Sequence, residues 1–126
     1  MEPRVTPMIH VEDVRATVAW YAAIGFRVLA TGDDGGEVVW AEVAFGSGRV
    51  MFSAGGGPGS PRRREVDLYV HAEGIDALHR ALSARGVEVI EGPHDTFYGM
   101  HEVIVRDLNG FWITFGEPVA KQEANA

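Results

Sequence analysis

The feature that most constrains this chain is an internal repeat. Residues 13–29 and 74–90 share one pattern of apolar and glycine positions. Three pairs of positions recur at a constant offset of 61 residues: Val14 and Ile75, Gly25 and Gly86, Val28 and Val89. Downstream, the turns at 46–48 and 107–110 match with a slip of a residue or two. Self-similarity over this period indicates two copies of one supersecondary unit.

Each copy predicts a strand, a helix and three further strands. Alternating apolar residues predict the first strand at 5–11 and at 66–70, and an apolar stripe with helical spacing follows each of them. Asp13 is the predicted N-cap of the first helix, and Gly25 and Gly86 suit the left-handed residue that follows a helix end. The remaining strands are predicted at 26–31, 37–45, 49–54, 87–91, 101–107 and 111–116.

This order of elements predicts an α+β protein made of two βαβββ modules. The dense glycine and proline between the copies predict a linker. We therefore expect one domain over 1–126, with module one at 4–54, the linker at 55–64, module two at 65–118 and a polar tail at 119–126. A length of 126 residues suits a single domain.

Composition excludes several classes of function. The chain has no cysteine, which rules out disulfides, thiolate nucleophiles and sulfur-rich zinc sites. A net charge of −7 disfavours nucleic acid as a partner, because phosphate backbones repel an acidic surface. The same charge would steer a cationic ligand to the protein, although it also serves ordinary solubility. Without a charged-then-apolar leader or an apolar run of about 20 residues, we expect a cytoplasmic protein without a membrane partner.

Short motifs resemble a known superfamily. Residues 11–14 (VEDV), followed by Trp20-Tyr21 and Gly25-Phe26, resemble the first-module signature of the glyoxalase / bleomycin-resistance / dioxygenase superfamily, which has the vicinal-oxygen-chelate fold. Residues 98–102 (YGMHE), 106–110 (RDLNG) and 115–118 (FGEP) resemble its second-module ending. The resemblance covers about residues 5–118 and is nearest to the bleomycin-resistance branch. Leu108 departs from the usual proline, but Asn109-Gly110 still provides a hairpin turn.

The resemblance implies a divalent metal, held by histidine and glutamate in a cup that the two modules form. Strand alternation places the four ligand positions of the family on Thr6, Met51, Asp67 and Thr114. Asp67 alone suits a hard cation, and a divalent metal normally needs three or more protein ligands. No cofactor is therefore expected. The fallback set is His10 and His71 with Glu117, although both histidines also suit ordinary polar positions at strand ends.

The remaining cup-facing side chains are mainly aromatic, and they suit planar, apolar or cationic ligands. Resemblance to the bleomycin-resistance branch gives Tyr98 and Met51 the role of sandwiching a flat heteroaromatic group. The other candidate aromatic residues are Trp40, Tyr69 and Trp112, of which Trp112 equally suits a dimer interface. Glu42 and Asp67 are candidate counter-charges, and His101 is expected beside the cup mouth as a donor to the ligand. No catalytic residue is predicted.

Three functions follow from these patterns. The leading one is a metal-free small-molecule-binding protein of the bleomycin-resistance type, which sequesters an aromatic or cationic compound in the cleft of a homodimer and so confers antibiotic resistance. The resemblance also implies that the N-terminal strand is sometimes exchanged between subunits. The alternative is a divalent-metal-dependent glyoxalase- or dioxygenase-type enzyme, a lyase or isomerase. A third is metal-free acid–base chemistry through His101 or Asp67.

Overall fold

The computed structural model describes residues 3–59 and 63–119. The chain divides into two compact units, residues 1–59 and 60–126. The first unit contains β1 (Met8–Val11), α1 (Val14–Ala23), β2 (Arg27–Asp34), β3 (Glu37–Phe45) and β4 (Gly48–Ala54). The second contains β5 (Leu68–His71), α2 (Ile75–Ala84), β6 (Glu88–Asp95), β7 (Met100–Arg106) and β8 (Trp112–Pro118).

These elements confirm the two predicted βαβββ modules. Their assembly into one domain stays a prediction, and parts of the predicted linker (60–62) and tail (120–126) lie outside the described residues. Neither described helix is long and apolar enough to cross a membrane.

Both units have the same sheet topology. The strand orders are β1-β4-β3-β2 and β5-β8-β7-β6, with the first strand parallel to the last and the other pairs antiparallel. The offset is 61 residues at the helices and 62 between Ala41 and Val103. It reaches 63 between their partners Phe52 and Phe115. This gradual change is the predicted slip of one or two residues.

In each unit the helix covers one face of the sheet. Tyr21 of α1 is fully buried, and its ring centroid lies 4.8 Å from that of Phe52 on β4. In the second unit, Ile75 of α2 and Val103 and Phe115 of the sheet are fully buried. Burying a side chain of this size stabilises the fold by about 1.5–3 kcal/mol. Alternate residues on these strands therefore lie on the opposite face, away from the helix.

The first strand of each module begins later than predicted. Val5 and Val66 are exposed and lie outside β1 and β5. On the first strand, regular pairing starts with Met8 opposite Met51, and the residue before it contributes only its carbonyl: the Met51 N–H donates to Pro7 O at 2.8 Å. Because proline has no N–H to donate, the ladder does not continue through it.

The predicted caps and turns are confirmed. Asp13 caps α1 by accepting the Ala16 N–H at 3.0 Å. Gly25 and Gly86 follow the two helices with φ angles of 111° and 78°, which favour glycine. The hairpin between β7 and β8 forms without the usual proline, because Asp107 Oδ1 accepts backbone N–H groups within the turn, including that of Asn109 at 2.8 Å.

Candidate functional site

The candidate site lies on the face of the second sheet that points away from α2. His101 and Glu117 lie on the face that α2 covers, and both contact that helix. Their strand neighbours Glu102 and Gly116 therefore point away from the helix. Tyr69 of β5 lies on the same side, since its hydroxyl reaches Glu102. We call this surface the tyrosine face. It carries Tyr69, Glu102, Trp112, Thr114 and Gly116.

A buried carboxyl on the tyrosine face binds two tyrosine hydroxyls. Glu102 is only 2% exposed. Its Oε2 accepts the hydroxyl of Tyr69 at 2.8 Å and the hydroxyl of Tyr98 at 2.7 Å. The two tyrosines remain 42% and 55% exposed. Both aromatic rings are therefore accessible and are also tied to one point on β7.

Tyr98 comes from a closed turn between β6 and β7. The Thr96 N–H donates to Met100 O at 2.8 Å, and the Met100 N–H donates to Thr96 Oγ1 at 3.0 Å. Gly99 closes the turn with a φ of 84° and donates its N–H to Thr96 O at 3.2 Å. These bonds fix the backbone on both sides of Tyr98, so the position of its ring is set by a short, hydrogen-bonded turn.

Both tyrosine hydroxyls are held in their protonated, donating form. Burial, and then the hydrogen bond to Glu102, raises the pKa of Tyr69 far above its ordinary value. The hydrogen bond to Glu102 is the main cause that raises the pKa of Tyr98. A tyrosine that must donate to a carboxylate loses that bond on ionising and places two negative charges together. The cluster therefore keeps its hydrogen bonds throughout the neutral pH range.

Two other predicted ligand residues of the second module contact an arginine. The Arg63 guanidinium lies over the Trp112 ring, with its Cζ 3.9 Å from the ring centroid. The same guanidinium forms an ion pair with Asp67. A flat cation between an aromatic face and a carboxylate is a favourable arrangement. Arg63 thus occupies the surfaces of Trp112 and Asp67 that the sequence suggested for a ligand.

The predicted residues of the first module lie on the face of its sheet opposite Phe52. Trp40 and Met51 are in contact, with the indole Nε1–H donating to Met51 Sδ at 3.2 Å. Glu42 is paired with Met51 across the sheet, and its carboxylate lies 3.7 Å from Arg49 Nη1. The first unit therefore has its own partly exposed aromatic and thioether surface.

His101 lies on the α2-covered face, whereas the sequence analysis placed it beside the cup mouth. Its Nε2 is 2.9 Å from Asp76 on α2, and its Nδ1 is 2.7 Å from Asp95 at the end of β6. The hydrogen bonds to Asp76 and then to Asp95 raise the pKa of His101. Its side chain joins α2 to the sheet, so we leave it out of the proposed ligand set.

The four residues to which the resemblance assigns the metal positions of the family do not form a donor set here. The carboxylate of Asp67 is paired with Arg63, and Thr6, Met51 and Thr114 offer no carboxylate or imidazole. Divalent metals are usually bound by several such ligands. These four residues therefore do not suit a divalent metal.

The three fallback metal ligands make contacts with other protein groups. Both carboxylate oxygens of Glu117 accept N–H groups at the start of α2, from Gly74 at 3.2 Å and Ile75 at 2.9 Å. His10 Nδ1 is 3.2 Å from Ala54 O, and the His71 ring packs against Tyr69. Among residues 3–59 and 63–119, no three histidine, aspartate or glutamate side chains are grouped so that they could hold a metal.

Glu102 was not among the predicted site residues, although the sequence of β7 contains a signal for it. Val103 and Val105 are apolar residues that point toward the helix, so alternation along β7 places Glu102 on the opposite face. The same rule places His101 on the helix face.

Comparison with known proteins agrees with this architecture. The two modules define a vicinal-oxygen-chelate fold. The sequence matches the model of the Glyoxalase/Bleomycin resistance protein/Dioxygenase superfamily over residues 5–115. The chain therefore belongs to this superfamily, as its motifs indicated. A search of curated protein sequences gave no match.

Several solved structures have the same fold. TioX from Micromonospora sp. ML1 is 22% identical, with a TM-score of 0.77 over 93% of this chain and 99% of that one. A bleomycin-binding protein complexed with bleomycin is 17% identical, with a TM-score of 0.71 over 92% of this chain and 98% of that one. A bleomycin resistance determinant encoded on the transposon Tn5 is 18% identical, with a TM-score of 0.71 over 93% and 98%. At these sequence identities, the structural likeness shows a shared fold and nothing further.

Proposed function

We propose that this protein binds and sequesters a small aromatic or cationic compound without a metal, in the manner of bleomycin-resistance proteins. One observation carries the proposal: Tyr69 and Tyr98, from two separate elements, expose their rings while both hydroxyls are anchored on the buried Glu102. Aromatic rings kept at a surface in fixed positions are typical of a binding site for a flat ligand.

Anchoring matters because binding normally has to immobilise the side chains that contact the ligand. Ordering one flexible side chain at an interface costs about 0.5–1.5 kcal/mol. The hydrogen bonds of Tyr69 and Tyr98 to Glu102 supply that order in the free protein. The contact between Trp40 and Met51 orders an aromatic surface in the first unit in the same way. Each of these two surfaces is a proposed ligand contact, as are Glu42 and, once a ligand displaces Arg63, Trp112 and Asp67.

Overall charge supports the cationic part of the proposal. The chain carries 18 acidic and 11 basic residues, and this excess attracts a positively charged compound over long range. The structural likeness to a bleomycin-binding protein is consistent with this ligand class. The biological setting that we propose is resistance to such a compound, in the cytoplasm.

We also propose that the protein acts as a homodimer. Strand β2 is an edge of the first sheet, and its successive residues Val28 and Leu29 are both exposed, one on each side of the strand. Exposed apolar edge strands are commonly covered by another chain. Light scattering coupled to size-exclusion chromatography measures the mass directly. A mass of one chain, 13.7 kDa, at micromolar concentration would contradict the dimer.

Calorimetric and fluorescence titration with bleomycin, and with other planar cationic compounds, tests the function. We expect saturable binding, with the compound recovered unchanged. Tyr98→Ala should weaken the binding about tenfold or more, because a stacked aromatic contact contributes about 1–3 kcal/mol. The control Val66→Ala removes an exposed apolar side chain outside the strands and should leave affinity unchanged. Absence of binding by every compound, or its chemical conversion, would contradict sequestration.

A further inference from the structure

One oxygen of the buried carboxyl of Glu102 is unused. Both tyrosine hydroxyls donate to Oε2, and Oε1 has no partner among the described residues. Within that part of the chain, no fully buried side-chain oxygen or nitrogen lacks a hydrogen-bond partner. Oε1 is therefore not sealed inside the described structure. It is an acceptor at the floor of the tyrosine face, beside two exposed rings.

Glu102 differs from the other candidate counter-charges. Glu42 lies beside Arg49, and Asp67 is paired with Arg63, so both of these carboxylates already have a cation. Within the described residues, Glu102 forms no ion pair and is bound only by the neutral hydroxyls of two tyrosines. A buried carboxylate without a cation is costly to the fold, and an arriving cation recovers part of that cost.

We propose that Oε1 of Glu102 receives a positively charged N–H donor of the ligand, an amidinium, guanidinium or ammonium group attached to a flat aromatic ring. The rings of Tyr69 and Tyr98 contact the aromatic part. This inference rests on the proposed function and adds the chemical group that is recognised and the atom that recognises it. Charge-assisted hydrogen bonds are stronger than neutral ones, so this contact sets the preference for a cation.

Two small probes of the same shape test the inference. Benzamidine is a flat aromatic cation with N–H donors, and benzamide is its neutral counterpart. Titration followed by NMR should show that the wild-type protein binds benzamidine about tenfold or more tightly than benzamide, the preference expected of one charge-assisted hydrogen bond. In Glu102→Gln, which keeps an oxygen for the tyrosine hydroxyls, the two probes should bind within about twofold of each other.

The control Glu73→Gln makes the same change of net charge at an exposed position and should keep the wild-type preference. A purely structural role of Glu102 would weaken both probes equally and leave their ratio unchanged, which would overturn the inference. Failure of this test with bleomycin still bound would refute the subsite and leave the proposed function standing.

If Glu102→Gln does not fold, NMR measurements on the wild-type protein alone test the inference. Magnetisation transfer from benzamidine to the ring protons of both Tyr69 and Tyr98 supports the subsite. Binding of benzamidine without transfer to either ring, or equal affinity for the two probes, overturns it.

Discussion

The ring of Tyr69 lies across Gly116, in space that any other residue would fill. A Cβ atom at position 116 would lie 2.9 Å from Tyr69 Cζ, and closer still to its hydroxyl oxygen. It would also lie 3.3 Å from Glu102 Cγ. Glycine on β8 therefore permits a tyrosine of β5 to reach a carboxyl of β7 across the intervening strand.

We expect Gly116→Ala to fold and to lose the hydrogen bond between Tyr69 and Glu102. The obstructed atoms are the far end of a rotatable side chain, so the ring can move without moving the backbone. The lost bond should destabilise the protein by about 1 kcal/mol. Spectrophotometric titration should show Tyr69 ionising at lower pH than in the wild type, because a displaced ring loses both its burial and its hydrogen bond to Glu102, the two main causes that raise its pKa. The control Gly92→Ala, where a Cβ meets nothing within 4 Å, should titrate like the wild type.

The repeat, the two modules and the caps were predictable because they depend on local spacing. On the regularly paired strands β7 and β8 the face of each residue was predictable as well, and the helix-side valines Val103 and Val105 locate Glu102 correctly once alternation is applied to β7. The burial of Glu102 was not predictable in this way. It requires Tyr98 to fold back from a turn and Tyr69 to cross Gly116, and these are contacts between elements distant in sequence.

The role of Arg63 was similarly outside the reach of sequence patterns. A run of arginines beside a glycine-rich linker normally indicates a solvated stretch. Here the Arg63 guanidinium returns to Asp67 and Trp112, which were assigned to a ligand. Periodicity describes regular elements, whereas the path of the chain between elements decides such a contact.

Glu117 should contribute to stability through the N-terminus of α2. Gly74 at the N-cap has no side chain to accept a hydrogen bond, and Glu117 accepts the N–H groups of Gly74 and Ile75 instead. Loss of a cap typically costs about 0.5–2 kcal/mol. We therefore expect Glu117→Ala to lower the free energy of unfolding by about 1 kcal/mol in urea denaturation. Glu73→Ala, at an exposed carboxylate in the turn before α2, should change it by less than half as much.

The contact of His101 with two carboxylates should make stability depend on pH. The pKa of His101 is raised above its ordinary value of 6.5, so its stabilising contribution is fully present below pH 6.5 and is lost as the pH rises through the higher folded value. The pKa of Asp76 is lowered by its bond to His101, so that contribution is lost only as the pH falls below about 4. The contact is strongest between these limits.

Melting temperatures of the wild type and His101→Gln should accordingly differ by a few degrees at pH 5.5 and by clearly less at pH 9. The control His10→Gln removes a histidine whose ring nitrogen faces a backbone carbonyl and no carboxylate. A difference for His101→Gln that is equally large at both pH values would show that the side chain acts by packing alone.

Purified protein should contain no stoichiometric divalent metal. Thr6, Met51, Asp67 and Thr114 do not supply a chelating set, and Glu117 is committed to α2. Elemental analysis should find zinc, nickel and iron well below one per chain, and dialysis against a chelator should leave the affinity for bleomycin unchanged. Stoichiometric metal that is lost in the double variant His10→Ala/His71→Ala would instead favour the metal-dependent enzyme.

Arg63 should control access to the Trp112 ring. Removing its guanidinium uncovers the indole and leaves the Asp67 carboxylate without its cation. The test uses a background in which the other two tryptophans are replaced by phenylalanine, so that Trp112 alone fluoresces. There, Arg63→Ala should raise quenching by caesium about twofold or more. It should raise quenching by iodide much less, since the local potential becomes more negative.

Arg64→Ala is the matched control, because that guanidinium lies over Phe111, 4.5 Å from the ring centroid. Equal gains for caesium and iodide would mean that Arg63 only shields the ring. Equal gains in Arg63→Ala and Arg64→Ala would mean that neither contact is specific to Trp112.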